Sequence, residues 1–164
     1  MDPEKKRTIF TICCIVVIII AAVLLAFGGR QSEPPGLTVS NELGQKIKAQ
    51  RGTYTWKTGG GSVVADSPGP LALYGRGELK DIETSENDDY SLKLYFNKEP
   101  NSVAVAIYPE SAAATQDHDT RILRDVTGSR GEYRFTVPQD GVYIVKVFAE
   151  WEKGNCNYYF YTTN

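Results

Sequence analysis

The stretch Tyr90-Ser-Leu-Lys-Leu-Tyr-Phe96 alternates apolar and more polar side chains at every second position. Because successive side chains of an extended chain point to opposite faces, Leu92, Leu94 and Phe96 share one face and the residues between them share the other. This period of two predicts a β-strand with one buried face.

Similar patterns predict strands on both sides of this stretch. Ser102–Tyr108 is apolar on both faces, which predicts a central or covered strand, and Val142–Trp151 is the longest predicted strand. Turn-forming segments such as Lys98-Glu-Pro-Asn101 and Pro138-Gln-Asp-Gly141 separate neighbouring strands. The other predicted strands are 37–39, 47–50, 52–57, 62–65, 121–126, 132–137 and 156–163.

The segments between these strands are less regular. Leu71–Tyr74 and Gly77–Ile82 are predicted to be extended, whereas Glu83–Asp89, Glu110–Thr120 and Thr127–Gly131 are predicted to be loops. Many short strands, frequent turn signals and little helical periodicity outside the N-terminal segment predict an antiparallel β-sandwich. An open barrel is the alternative.

The N-terminal run Thr8–Phe27 is about 20 residues long and contains neither a charge nor a proline. A helix of that length spans about 30 Å, the hydrocarbon thickness of a bilayer, and satisfies its backbone hydrogen bonds internally. The run therefore predicts one transmembrane helix. Basic residues at 5–7 precede it and Arg30 follows it, which places residues 1–7 in the cytoplasm and the rest of the chain outside.

A cleaved signal peptide is the alternative for this run, and Ala26-Phe-Gly28 offers a cleavage pattern. The apolar region of a signal peptide is typically about 7–15 residues long, which favours the anchor. Cys13 and Cys14 lie near the start of the run and are interpreted as apolar packing residues. Acylation of these cysteines is the alternative.

The composition outside the anchor constrains the partners. Four of the 18 basic residues and two of the 20 acidic residues lie in the first 30 positions, which leaves 14 basic and 18 acidic residues beyond them. This mild acidity argues against a nucleic-acid partner. The predicted organisation is a cytoplasmic tail at 1–7, an anchor at 8–27, an extended Pro-Pro-containing tether at 28–36 and an exported domain at 37–164.

Asp140-Gly-Val-Tyr143 resembles the tyrosine corner of immunoglobulin-like domains, where a tyrosine near the start of the penultimate strand hydrogen-bonds to a nearby backbone group. The motif departs from the family because one residue is missing between Asp140 and Gly141, and Val145 stands where antibody domains have a cysteine. A buried strand tyrosine without this role is the alternative. The resemblance implies an immunoglobulin-like sandwich in which Asp140, Gly141 and Tyr143 are structural.

Several short segments within residues 50–164 carry a broader resemblance. They are Gly52-Thr-Tyr-Thr-Trp56, Ala65-Asp-Ser-Pro-Gly-Pro-Leu71, Leu94-x-Phe96 with Pro100, Asp140-Gly-x-Tyr143, Trp151 and Tyr158-Tyr-Phe160. In these segments the chain is similar to small membrane-anchored exported domains of Firmicutes, which occur alone or beside BlaR-type receptor peptidases. The resemblance implies an exported fold but no reaction, and the chain lacks the His-Glu-x-x-His motif of a metallopeptidase.

Few residues suggest catalysis or metal binding. His118, the only histidine of the sequence, is interpreted as a solvated loop residue rather than a metal ligand. Cys156, the only cysteine beyond the anchor, is disfavoured as a nucleophile paired with His118. Five loop acids lack the spacing of a calcium-binding loop and are interpreted as solvated. They are Asp81, Glu83, Glu86, Asp88 and Asp89. We therefore predict no enzyme activity, no metal and no cofactor.

Aromatic side chains are the stronger candidates for binding. Strand alternation puts Tyr158 and Phe160 on one face and Tyr159 and Tyr161 on the other, so one set is expected to be exposed. Exposed aromatics can stack on sugars or anchor a protein partner, which makes Trp56, Tyr159 and Tyr161 the binding candidates. Their alternative role is to cover one end of the sandwich.

The anchor and the β-domain without a catalytic motif predict a single-pass cell-membrane protein with a non-enzymatic binding or accessory domain at a bacterial cell envelope. The expected partner is an envelope protein or a glycan. Two alternatives stay open. One is a membrane-anchored sensor subunit of a receptor complex, disfavoured because the anchor has no Gly-x-x-x-Gly motif. The other is a secreted protein with a cleaved signal peptide.

Overall fold

The computed structural model describes residues 33–84 and 90–163, together with the single position Val16. The chain divides into two units, and the second, Glu33–Asn164, contains the β-domain. The predicted anchor Thr8–Phe27 belongs to the first unit and lies outside the described residues except for Val16. Within the described ranges, no helix is both long enough and apolar enough to cross a bilayer.

The described residues of the second unit form two β-sheets. Their strands are β1 (Leu37–Ser40), β2 (Lys46–Lys48), β3 (Gln50–Thr58), β4 (Gly61–Ala65), β5 (Asp81–Glu83), β6 (Tyr90–Phe96), β7 (Ser102–Pro109), β8 (Ile122–Arg124), β9 (Thr127–Ser129), β10 (Glu132–Val137), β11 (Tyr143–Trp151) and β12 (Gly154–Thr163). The five-stranded sheet has the order β2-β1-β6-β10-β9, and the seven-stranded sheet has the order β4-β3-β12-β11-β7-β8. Within the seven-stranded sheet, β5 pairs in parallel with the end of β12.

The two sheets pack around one apolar core, which confirms the predicted all-β sandwich. Strand β6 buries every second residue, as its alternation predicts, and contributes Leu92 and Leu94 to the core from the five-stranded sheet. Val145 and Val147 of β11 face them from the seven-stranded sheet. The described strands form two separate sheets rather than one continuous curved sheet, so the open-barrel alternative is wrong.

Strand β7 is central, as its two apolar faces predict. It pairs with β11 on one side and with β8 on the other. Val105 and Ile107 point into the core between the sheets, whereas Ala106 and Tyr108 belong to a second apolar cluster on the opposite face. The seven-stranded sheet is therefore covered on both faces where β7 and β11 meet this second cluster.

Two short helices, α1 (Pro70–Gly75) and α2 (Ser111–Thr115), pack on the strand residues of the second cluster and contribute side chains to it. The prediction that Leu71–Tyr74 is extended is wrong. Pro70 starts α1, where its fixed φ suits a first helical turn and its missing N–H costs nothing. Gly77, at φ +68°, ends the helix, with its N–H donating to the Tyr74 carbonyl and the next N–H donating to the Leu73 carbonyl.

Three other segments differ from the sequence predictions. The predicted loop 110–120 contains α2, because the alanine run Ala112–Ala114 favours a helix. Of the predicted extended segment 77–82, only its end enters β5, which is paired in parallel rather than antiparallel. The predicted loop 127–131 includes β9, a three-residue strand that pairs with β10. Part of the predicted loop 83–89 lies outside the described residues.

The last four residues of the predicted tether 28–36 belong to the folded domain. Pro34 and Pro35 are buried, and the Tyr158 hydroxyl donates a hydrogen bond to the Pro35 carbonyl. Arg51 also forms an ion pair with Glu33 at 2.6 Å. The folded domain therefore begins at about Glu33 rather than at residue 37, because tertiary contacts hold a segment whose local sequence only indicates an extended path.

Aromatic rings join the two sheets at one end of the sandwich. The ring of Phe96 on the five-stranded sheet lies edge-to-face against Trp151 and Tyr158 of the other sheet, at centroid distances of 5.7 and 5.9 Å. Trp151 in turn lies 5.6 Å from Trp56 in the same geometry. The indole N–H of Trp151 donates to the Lys98 carbonyl at 3.1 Å, so its polar atom is satisfied.

We expect Phe96→Ala to lower the free energy of unfolding by about 3 kcal/mol, because it removes a buried ring and its aromatic contacts and leaves a cavity. Urea unfolding followed by tryptophan fluorescence measures this directly, since both tryptophans lie in the affected cluster. The matched control is Leu43→Ala, at a residue that is 65% exposed, for which a change within about 0.5 kcal/mol is expected. Equal effects of the two changes would contradict the role of Phe96.

Candidate functional site

The predicted aromatic binding residues are not exposed as a set. Trp56 is fully buried in the core between the sheets, and Tyr159 is buried beneath the helices. Tyr161 is half-buried, with its ring edge-to-face against Tyr74 of α1 at 5.0 Å. The expectation of an exposed aromatic face is therefore wrong for Trp56 and Tyr159, because alternation separates two faces but does not show that α1 and α2 cover the outer one.

Gly52 shows how closely Tyr159 is held. The Tyr159 ring lies against the Gly52 backbone so tightly that a Cβ at this position would overlap the ring. Burial is also the main cause that raises the pKa of Tyr159 to about 12. Tyr159 is thus a packing residue between the sheet and the helices, and it presents no ring face to a sugar.

The predicted tyrosine corner has a different hydrogen bond from the one expected. The Tyr143 hydroxyl donates to Oδ1 of Asp140 at 2.6 Å, a side-chain acceptor rather than a backbone group. Burial and this bond to Asp140 raise the pKa of Tyr143 to about 12. The Tyr143 N–H donates to the buried Thr162 hydroxyl at 3.0 Å. Tyr143 therefore connects the start of β11 to the preceding turn at Asp140 and to Thr162 on β12. Gly141 lies in the chain between Asp140 and Tyr143.

The catalytic and metal candidates are dispersed. His118 is exposed and lies edge-to-face against Tyr108 at 6.1 Å. Asp81 and Glu83 are exposed on β5, whereas the other predicted acids, Glu86, Asp88 and Asp89, lie outside the described residues. Among the described residues, no group of three or more His, Cys, Asp or Glu side chains is placed to hold a metal ion.

Cys156 is a core residue. Its side chain is fully buried, and its thiol lies 3.2 Å from the Asn157 carbonyl. Burial raises the pKa of the Cys156 thiol to about 12. Because the thiolate is the nucleophilic form, this environment suits packing and opposes reactivity.

A more suitable binding surface lies on the outer face of the seven-stranded sheet, beside the part that the helices cover. We call it the outer-face patch, formed by Ala104, Arg121, Leu123, Lys146 and Phe148. The register places Phe148 opposite Ala104, and both Lys146 and Leu123 opposite Ala106. These residues line a shallow cleft of about 150 Å³, and Leu123 is 69% exposed at its rim.

The outer-face patch combines apolar side chains with two cations. Burial lowers the pKa of Lys146, and the neighbouring Arg121 guanidinium lowers it further. No carboxylate oxygen of the described residues lies within 4.0 Å of Lys146 or Arg121. The repulsion between the two cations is therefore not relieved by an ion pair in this part of the chain, and an incoming carboxylate would relieve it.

Alternation along the longest predicted strand, Val142–Trp151, puts Lys146 and Phe148 on the same face, but neither residue was among the predicted binding candidates. The sequence indicates that part of the outer face is covered, because β7 is apolar on both faces and a strand of that kind must be covered on both sides. The helices cover Ala106 and Tyr108, whereas Ala104 is exposed. Which part of the outer face stays open depends on where α1 and α2 end, and the alternation pattern does not contain that information.

Comparison of the chain with protein-family models, with curated proteins and with solved structures gives no match. The resemblance to exported Firmicutes domains accordingly stays a prediction.

We expect Cys156 to resist alkylation in the native protein, because its thiol is buried and its pKa is raised. In a Cys13→Ser, Cys14→Ser background, iodoacetamide at pH 8 should label the protein only after urea unfolding, as mass spectrometry would show. A control with Ser102→Cys, at an exposed position on β7, should label without urea. Fast labelling of native Cys156 would contradict its assignment as a core residue.

Proposed function

We propose that this protein is a single-pass membrane protein whose exported, immunoglobulin-like domain binds an acidic protein partner at the cell envelope through the outer-face patch. The domain acts as a non-enzymatic binding module. Its orientation in this proposal, with residues 1–7 in the cytoplasm and the domain outside, rests on the apolar run Thr8–Phe27 and the basic residues that precede it.

The observation that carries the proposal is the composition of the patch. Exposed apolar side chains and unpaired cations together on a rigid sheet are typical of a protein interface, in which an apolar centre is combined with complementary charge. The rest of the chain beyond residue 30 is mildly acidic, so the basic patch differs from its surroundings. The partner is therefore expected to contribute carboxylates next to apolar side chains.

A protein fits this surface better than a glycan or an anionic polymer. Of the three aromatics predicted to bind a partner, Trp56 and Tyr159 are buried, and the half-buried Tyr161 packs its ring against Tyr74. An anion without apolar groups would pair with Lys146 and Arg121 but leave Leu123 in water. An acidic peptide surface with an apolar side chain satisfies both parts of the patch at once.

The immunoglobulin-like assignment is supported by Tyr143 at the start of β11, the penultimate strand of the described residues, and by its hydrogen bond to Asp140. Asp140 stands three residues before Tyr143, and its carboxylate accepts the hydrogen bond that a backbone group accepts in the family's corner. The parallel pairing of β5 with β12 is a departure from a purely antiparallel sandwich.

We expect the full-length chain to stay in the membrane fraction after a carbonate wash, with its C-terminal domain open to external protease in intact cells. The physical reason is that Thr8–Phe27 contains only uncharged, mostly apolar residues that a bilayer retains. N-terminal sequencing of the mature protein provides the control, because an intact first residue distinguishes the anchor from a cleaved signal peptide. Recovery of the intact chain from the cytosol would contradict the proposal.

The patch is tested by site-specific photocrosslinking in cells. We expect benzoylphenylalanine at Leu123 to form an adduct with one defined protein that is acidic at its contact site, and the same probe at Leu43 to form none. The two positions are 69% and 65% exposed, so they differ in location rather than accessibility. An adduct of the same mass at both positions would contradict a specific site.

Charge reversal tests the electrostatic part of the interface. Lys146→Glu should weaken binding of the crosslinked partner about tenfold or more. The new carboxylate would repel the carboxylates expected on the partner, and the half-buried cation that attracts them would be lost. Lys80→Glu is the charge-matched control on the surface outside the patch and should leave affinity unchanged. Binding measured by interferometry with the purified partner distinguishes the two, and equal losses would refute the assigned surface.

A further inference from the structure

One edge of the seven-stranded sheet lacks the protection that the other edges have. Strand β4, Gly61-Ser-Val-Val-Ala65, carries no charged side chain and no proline, and pairs on one side only, with β3. Val63 and Val64 are 39% and 69% exposed. Independently of the outer-face patch, we propose that two copies of this chain associate through antiparallel pairing of their β4 strands.

The other described edges carry features that oppose such pairing. Strand β2 at the edge of the five-stranded sheet has Lys46 and Lys48, and β9 at its opposite edge is three residues long and followed by Arg130. Strand β8, also three residues long, ends at Arg124. Short strands and charged side chains are the usual means by which proteins block edge-to-edge association. Their absence from the five-residue β4 marks it as the edge available for a partner strand.

The backbone groups of β4 are oriented for an intermolecular ladder. Lys57 and Ser62 are partners in the β3–β4 hairpin, and the Lys57 N–H donates to the Lys153 carbonyl at 2.7 Å, away from β4. In an antiparallel pair this makes Lys57–Ser62 a pair without mutual hydrogen bonds, so the N–H and C=O of Ser62 point towards the free edge. The same alternation directs the backbone groups of Val64 to that edge.

A second copy satisfies these groups in one register. A two-fold axis through Val63 places Ser62 opposite Val64 of the second copy and pairs all five residues of β4, forming about four intermolecular backbone hydrogen bonds. Any other centre leaves strand residues without a partner. In this register the nearest charged residue of the strand's flanks, Asp66, lies opposite the uncharged Gly60, so no like charges face each other.

The side chains agree with this register. Val63 lies opposite Trp56 within the hairpin, on the face that packs in the core. The two-fold axis brings the two Val63 side chains together directly, which extends the buried row from one domain to the other. A second copy therefore covers apolar surface that the isolated domain leaves in water.

The register is tested by disulfide formation in the full-length chain in membranes, in a Cys13→Ser, Cys14→Ser background. Val63→Cys should form an intermolecular disulfide under mild oxidation, because directly opposed residues of this pair type have Cα atoms about 4.5 Å apart. Ser62→Cys should not, because its own counterpart lies diagonally at about 7–8 Å. Native Cys156 is buried and does not interfere.

A charge exchange provides the second test and does not depend on oxidation. Val63→Lys and Val63→Glu should each prevent association, because two like charges would face each other across the axis. Mixing the two variants should restore a dimer by opposite charges, as measured by light scattering in detergent or by energy transfer between labelled copies in vesicles. Restoration also shows that both variants are folded.

The remaining outcomes overturn the proposal. Association that survives Val63→Lys and Val63→Glu places the contact elsewhere, for example in the anchor. Equal crosslinking of Val63→Cys and Ser62→Cys indicates random collision rather than the two-fold register. A wild-type chain that is monomeric in membranes at its cellular density excludes β4 pairing.

Discussion

The edge-to-face contacts of Phe96 with Trp151 and Tyr158 join the two sheets, and the rest of the domain depends on them. They fix which face of each sheet points inwards at that end of the sandwich. Once Val145 and Val147 of β11 face the core, Lys146 and Phe148 must face outwards, because a strand alternates. The position of the outer-face patch thus follows from the packing of the opposite face of the same strand.

Away from the aromatic cluster, hydrogen bonds donated by polar side chains connect the two sheets. The Arg124 guanidinium on β8 donates to the carbonyl and the hydroxyl of Thr136 on β10, at 2.8 and 2.9 Å. The buried Asn41 side chain beyond β1 donates to the Glu83 carbonyl on β5 at 3.0 Å. The Arg124 side chain also supplies a positive charge at the β8 edge, which opposes pairing of that edge with another strand. Among the described residues, no side-chain hydrogen bond from the other sheet reaches Val63 or Val64, which are 39% and 69% exposed.

The sequence predicted most of the strands, with β9 as an exception, because alternation is a local property, as β6 and β11 show. It missed α1 because Leu71 and Leu73 alternate with their neighbours like a short strand, and the decisive signals were Pro70 and Gly77 at the two ends. It could not show that helices cover Tyr159, since that contact joins segments far apart in the chain. The candidate site was missed for the same reason: the residues of the patch come from β7, from β11, and from β8 and the residue before it, and only the fold reveals the order of these strands.

The sheet order relates the two proposed contacts. Strand β4 lies at one end of the order β4-β3-β12-β11-β7-β8, and the outer-face patch lies on β8, β7 and β11 at the other end. Pairing through β4 therefore leaves the patch uncovered, and a two-fold axis at Val63 gives the combined sheet one patch towards each end. Two sites on one rigid sheet can engage a multivalent partner with an avidity about 10²–10⁴ times the affinity of one site, provided that the partner's spacing matches. Confinement to a membrane would raise the local concentration of the copies, so that a short strand contact of modest strength is enough to form the pair.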